Sequence, residues 1–307
     1  MHTLRNNIVS GTLTLPIMAL VTLALWILPD PADWQLWAGL AVTGLSAYLI
    51  MELNNRNALL RIRSRLMSTT FLYLMLVCPA LHRWDSGALA VPCLVLSYFM
   101  LFASYQKARG EGYVFHAFLF LSLASIKFPP MLVLAIASYF CMIFQLRNFT
   151  WRTFLAGLLG AMVPYWFYAA IAIWENQLDT AFLYLEPWLS LPQPDYSQLS
   201  LPQWITAGTM AFLAIMALVH FFHTAYNDKI RTRMLIYVIT TMEFIIMAGL
   251  LLVPKYFDEL MRLFIANSST LIAHHYALGK GRFFNAWFYL ILMLLGALGI
   301  YNYLFSA

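Results

Sequence analysis

Along this chain, stretches of almost unbroken apolar residues alternate with short polar clusters from one end to the other. Each stretch is near the ~20 residues that a helix needs to cross a bilayer. The runs 8–28, 35–52, 67–82, 88–106, 113–128, 131–145, 153–174, 204–222, 234–253, 257–278 and 284–305 predict about 11 transmembrane helices. The first run follows Arg5, but it is longer than a signal-peptide core, and "LPDPADW" behind it offers no small-residue cleavage site, so it reads as a retained span. The weakest run is 257–278, which carries "ANSST" in its middle and also fits a re-entrant or surface helix.

The composition agrees with an all-α integral membrane protein. Of the 307 residues, 62% are hydrophobic and only 10% charged, well outside the soluble range. Cys78, Cys93 and Cys141 all lie in apolar runs and read as buried thiols, with no disulfide framework. The charges then orient the chain, because Lys and Arg near span ends stay on the cytoplasmic side. With the N-terminus inside, 14 of the 18 basic residues fall on that side; Arg83, Lys127, Lys255 and Arg262 fall outside, together with nine acids that include Asp30, Asp33, Glu186 and Asp195. The expected location is a bacterial inner membrane, with the C-terminus in the periplasm. The net charge of +5 then needs only anionic headgroups as partner, and no nucleic acid.

The chain also repeats itself. "GEGYVFHAFLFL" (110–121) matches "GKGRFFNAWFYL" (279–290) at an offset of 169, and "RIRSRLM" (61–67) matches "KIRTRML" (229–235) at 168. "LPIMALVTLALW" (15–26) and "VPYWFYAAIAIW" (163–174) share Pro and Trp at 148, which implies about 20 extra residues in an outer loop, 175–203. The spacing predicts two parallel tandem repeats, 1–152 with about six spans and 153–307 with about five, related by an axis along the membrane normal. The doubled basic phrases, Arg61, Arg63 and Arg65 with Lys229, Arg231 and Arg233, are positive-inside anchors whose spelling is duplicated. Major-facilitator transporters are similar in architecture, with related basic motifs after spans 2 and 8, but the Gly and Asp of their motif are missing here.

Few residues carry candidate chemistry. Glu243 is the one acid deep in an apolar run; ten residues beyond Arg233 put it ~15 Å up the helix, near the centre of a ~30 Å core. A carboxyl there must be protonated, paired or wetted, so Glu243, with Thr240 and Thr241 beside it, is the candidate for substrate or ion coupling. Its counterpart in the first half is Met75. His116, His220, His223, His274 and His275 fall at similar depth, and His220 and His223 share a helix face; a metal site from His220, His223 and His274 is the weaker reading, since no acid completes it. Asp30 and Asp33 occupy the first outer loop, where polyprenyl-phosphate glycosyltransferases place a base or metal ligand; ordinary acidic loop composition is the simpler account. Asp258, Glu259 and Arg262 have the spacing to pair with one another along one helix. No motif requires a cofactor.

The stretch "LRNFTWRTFLAGLLGAMVPYWF" (146–167), preceded by "FHAFLFLSLASIKFPPMLVLAIASYF" (115–140), resembles a family of polytopic inner-membrane proteins from Bacteroidetes, a family of unknown function. Asn148 stands where that pattern has Pro. The resemblance implies the compartment and the topology, and it names no reaction. Three function classes follow: a transporter or flippase of a small or lipid-linked substrate, which places Glu243 at a central cavity; an envelope enzyme working through Asp30 or Asp33; and a membrane scaffold with no site. The pattern leaves the oligomeric state open.

Overall fold

The computed structural model describes residues 4–62, 64–107, 109–175, 194–197, 199–279 and 281–305. Every regular element among them is helical: α1 (Leu4–Ser10), α2 (Thr14–Ile27), α3 (Trp34–Asn57), α4 (Leu66–Leu76), α5 (Ala90–Ala103), α6 (Glu111–Ser125), α7 (Met131–Phe144), α8 (Trp151–Trp174), α9 (Leu201–Thr224), α10 (Ile230–Leu252), α11 (Phe257–Leu278) and α12 (Arg282–Phe305). Among the described residues, six helical stretches are long and apolar enough to cross a membrane: 34–57, 86–103, 151–174, 201–227, 230–252 and 284–305. Helices α2, α4 and α7 are apolar but shorter. Large apolar side chains stand on the outside of the bundle, among them Ile136, Trp166, Phe167 and Met293, each at least 67% exposed. An apolar exterior of this kind suits lipid.

Two expected spans are broken. The run 8–28 divides at Gly11 into α1 and α2, and the hydroxyl of Thr14 donates to the carbonyl of Ile8 across the break (2.8 Å). The run 67–82 ends as a helix at Leu76, because Pro79 disfavours a helical backbone at Cys78, which turns to φ −115°, ψ 76°. Most of the outer loop 175–203 lies outside the described residues.

The weakest run becomes the hub. Helix α11 covers the expected residues 257–278, yet it is not one of the six apolar stretches, and nearly all of its side chains from Leu260 to Tyr276 are buried. It packs against α4, α5, α9 and α10, so its polar residues face protein. Helix α8 leans on α6 so closely that a Cβ on Gly160 would collide with the carbonyl of Phe115. At the start of α8, the amide of Asn148 donates to Met142 O (3.2 Å) and its side chain to Ser104 Oγ (2.7 Å). Proline at 148 would lack both donors.

Candidate functional site

Three structures lie where the first half of the chain meets the second. The first is a polar network deep in the bundle. Glu243 on α10 is fully buried; its Oε2 accepts from Asn267 Nδ2 (2.8 Å) and its Oε1 from the hydroxyl of Ser268, both on α11. The hydroxyl of Tyr98, on α5, donates to Asn267 Oδ1 (2.7 Å), and Asn267 Nδ2 also donates to Ile239 O (2.8 Å). Every carboxylate oxygen is thus met, as a buried charge or buried acid requires. Tyr98 and Asn267 are 169 positions apart, the same offset that aligns the two glycine-flanked segments.

The expected neighbours of Glu243 play other parts. Thr241 donates to Tyr237 O (2.9 Å) and accepts from Gln145 Nε2 (3.1 Å), while the hydroxyl of Thr240 is buried without a partner among the described residues. The partners that do serve Glu243 come from "ANSST", the polar run that made 257–278 the weakest span. A lone acid in one apolar run and an unexplained polar patch in the next was the available signal.

The second structure joins the basic phrases to each other. Arg61 pairs with the buried carboxylate of Asp228 and donates through NH2 to Thr224 O, the last turn of α9 (3.1 Å). Arg231 reaches back to Asn57 Oδ1, the last residue of α3 (3.3 Å), and Thr232 donates to Ala58 O (3.4 Å). Each phrase therefore grips the helix end that precedes the other phrase. His274 Nε2 sits 3.3 Å from the second oxygen of Asp228. Burial pushes the Asp228 carboxyl up, but the hydrogen bonds and charges of His274 and Arg61 outweigh it and hold the group below the usual carboxylate range. Arg65 donates instead to Thr12 O (3.4 Å); Lys229 is exposed, Arg233 half-buried, and Arg63 lies outside the described residues.

The histidines divide. His220 stacks edge-on to His275 (4.6 Å between ring centres) and lies 6.4 Å from His274, whereas His223 and His116 face outward. Among the described residues, no group of three or more His, Cys, Asp or Glu is arranged to hold a metal ion.

At the opposite end, the acids are engaged in local structure. Asp33 caps α3 through the Gln35 amide (2.9 Å) and pairs with Arg83 (3.2 Å); Asp30 accepts from the Ala32 amide (3.1 Å). The expected pairing of Arg262 along its own helix is not what forms. Arg262 is buried, turns to Asp85, and donates to the carbonyls of Leu81 (3.1 Å) and Arg83 (3.2 Å), three acceptors that no neighbour on α11 supplies. Asp258 accepts from Gln203 (3.3 Å).

The third structure is a cavity of about 580 Å³, walled by α1, α2 and α4 from one half and by α9, α11 and α12 from the other. Its size is that of a small-molecule pocket. Glu243 is not among its walls. Comparison of the chain with known protein families, with curated proteins and with solved structures returns no match.

Proposed function

We propose that the protein is a transporter or flippase of a small or lipid-linked substrate in a bacterial inner membrane, built from two parallel repeats that move against each other about Glu243. The observation that carries this reading is the hydrogen bond between Tyr98 and Asn267, residues equivalent under the repeat, which abut a fully buried carboxyl. In a parallel duplication, equivalent residues touch only where the axis passes. An ionisable group on that line is placed to sense both halves, and a carboxyl in a membrane core is retained at a cost of several kcal/mol where it serves transport. The crossed grip of Arg61 and Arg231 also joins the two halves, at the end read as cytoplasmic. The Bacteroidetes resemblance agrees with the compartment.

The test is lipid movement in reconstituted vesicles, read as the dithionite-accessible fraction of NBD-labelled phosphatidylglycerol. Wild-type protein is expected to speed the transfer and Glu243→Gln to slow it about tenfold or more while still inserting. Vesicles with wild-type protein that match protein-free vesicles would overturn the flippase reading.

A further inference from the structure

The cavity is graded from one end to the other. Its deep part is formed by hydrocarbon side chains such as Val21, Leu74, Leu213, Ile291 and Leu295. At the end where α2 and α4 begin, its wall turns polar with Asn7, Thr12, Thr14, Thr69 and Thr70. The hydroxyls of Thr70 and Tyr276, both in the wall, bond to no protein group among the described residues. Beside this polar end stands Arg65, exposed, with its guanidinium against the carbonyl of Thr12.

The cavity also has a side window. Helices α2 and α12 are tied at their far ends by Tyr303, whose hydroxyl donates to Leu25 O (2.9 Å), and the backbone amide of Arg5 donates to Tyr289 Oη at the near end (3.2 Å). Between these ties, Ile17 and Leu292 line the cavity and are 57% and 39% exposed. A molecule dissolved in the bilayer can enter there without crossing water.

We infer that this cavity binds an anionic phospholipid taken from the leaflet on the basic side, with one hydrocarbon chain in the deep part and the headgroup at Arg65. The apolar depth excludes a free polar solute, because burying unpaired polar groups there is unfavourable. Each methylene that enters gains burial, while the Arg65 guanidinium at the mouth selects for net negative charge. The start of α2, which its N-cap side chain leaves uncapped, adds its partial positive charge at the same end. This names the substrate class of the proposed flippase; it rests on that reading for the lipid's movement, not for its binding.

Native mass spectrometry of the purified protein, challenged with phosphatidylglycerol and with phosphatidylcholine, tests the site. Wild-type protein should retain phosphatidylglycerol about fivefold better, the factor that corresponds to about 1 kcal/mol for one basic residue at a membrane surface. Arg65→Gln should erase the preference, and Thr70→Trp or Ile17→Trp, which fill the cavity, should lower retention of both lipids. Variants are compared only after their melting curves match wild type, and having two cavity-filling positions guards against loss of one to misfolding. Equal retention of the two lipids, or an unchanged preference in Arg65→Gln, would sink the inference. Selective binding without transfer in the vesicle assay would instead remove the flippase reading and leave the site standing.

Discussion

Tyr98 and Asn267, 169 residues apart, share a 2.7 Å hydrogen bond in the interior of the bundle, and the offset between them is the one at which the segments 110–121 and 279–290 match. The bond joins α5 to α11, one helix from each half. Asn267 passes the connection on to Glu243, so the two halves and the buried carboxyl form one polar unit. A double-mutant cycle with Tyr98→Phe and Asn267→Leu is expected to show coupling of about 0.6 kcal/mol, the usual size for a hydrogen bond between membrane helices. Additive effects would mean that the bond contributes nothing to holding the halves together.

Glu243→Gln preserves the shape of the side chain and one acceptor oxygen, so Ser268 or Asn267 keeps a partner. Glu243→Leu removes both acceptors: Asn267 keeps Ile239 O, while the Ser268 hydroxyl loses its partner. Thermal unfolding should therefore rank Leu as the more damaging substitution by about 1–2 kcal/mol, the cost of stranding a buried donor. The reverse order would show that the polar network opposes folding.

Asp228 gives a dependence on pH. A carboxyl depressed by folding adds stability that is complete above the unfolded value of about 4 and is lost as the pH falls through the lower, folded value. The gap in melting temperature between wild type and Asp228→Asn should stay level from neutral pH to about 5 and shrink on further acidification. A gap that is the same at every pH would mean that the charge of Asp228 is not what the variant removes.

Gly160→Val inserts a branched side chain against the Phe115 carbonyl and should destabilise by about 1–3 kcal/mol, as overpacking does. Gly112→Ala, on α6 where a Cβ meets nothing within 4 Å, is the matched control and should be neutral or slightly stabilising. Equal effects at the two positions would show that the contact between α6 and α8 is looser than described.

The proposed orientation is checked by reporter fusions. A periplasm-active enzyme fused after Ala307 should be active, and one fused in the turn at Lys229 should be silent. Activity at Lys229 would invert the assignment of the basic face.

Hydropathy made the helices of this fold legible because a membrane core tolerates little else. It located α3, α9, α10 and α12 to within a few residues. It missed the breaks at Gly11 and Leu76, where backbone preference overrides an apolar run, and Cys78-Pro79 was the mark of the second. Glu243 is legible because an acid in an apolar run stands out, while its partners in "ANSST" read from the sequence only as a weakness of their own span. The grip of Arg61 on Asp228 was not readable: basic residues near a span end satisfy the topology rule wherever they point, and only the fold brings positions 167 apart into contact. The cavity left no mark in the sequence, since apolar residues that line a void look like those that face lipid.

Helix α11 also has to be delivered into the membrane. Asp258, Glu259, Arg262, Asn267, Ser268 and the paired histidines make it a poor candidate for leaving the translocation channel by itself, since charged and strongly polar residues weigh against insertion. Helix α10, four residues upstream, carries the complementary burden in Glu243. Folded together as a hairpin, the two cancel their least lipid-compatible groups against each other before either meets hydrocarbon. On the proposed membrane reading, the hydrogen bonds from Asn267 and Ser268 to Glu243 would ease insertion as well as hold the finished bundle together.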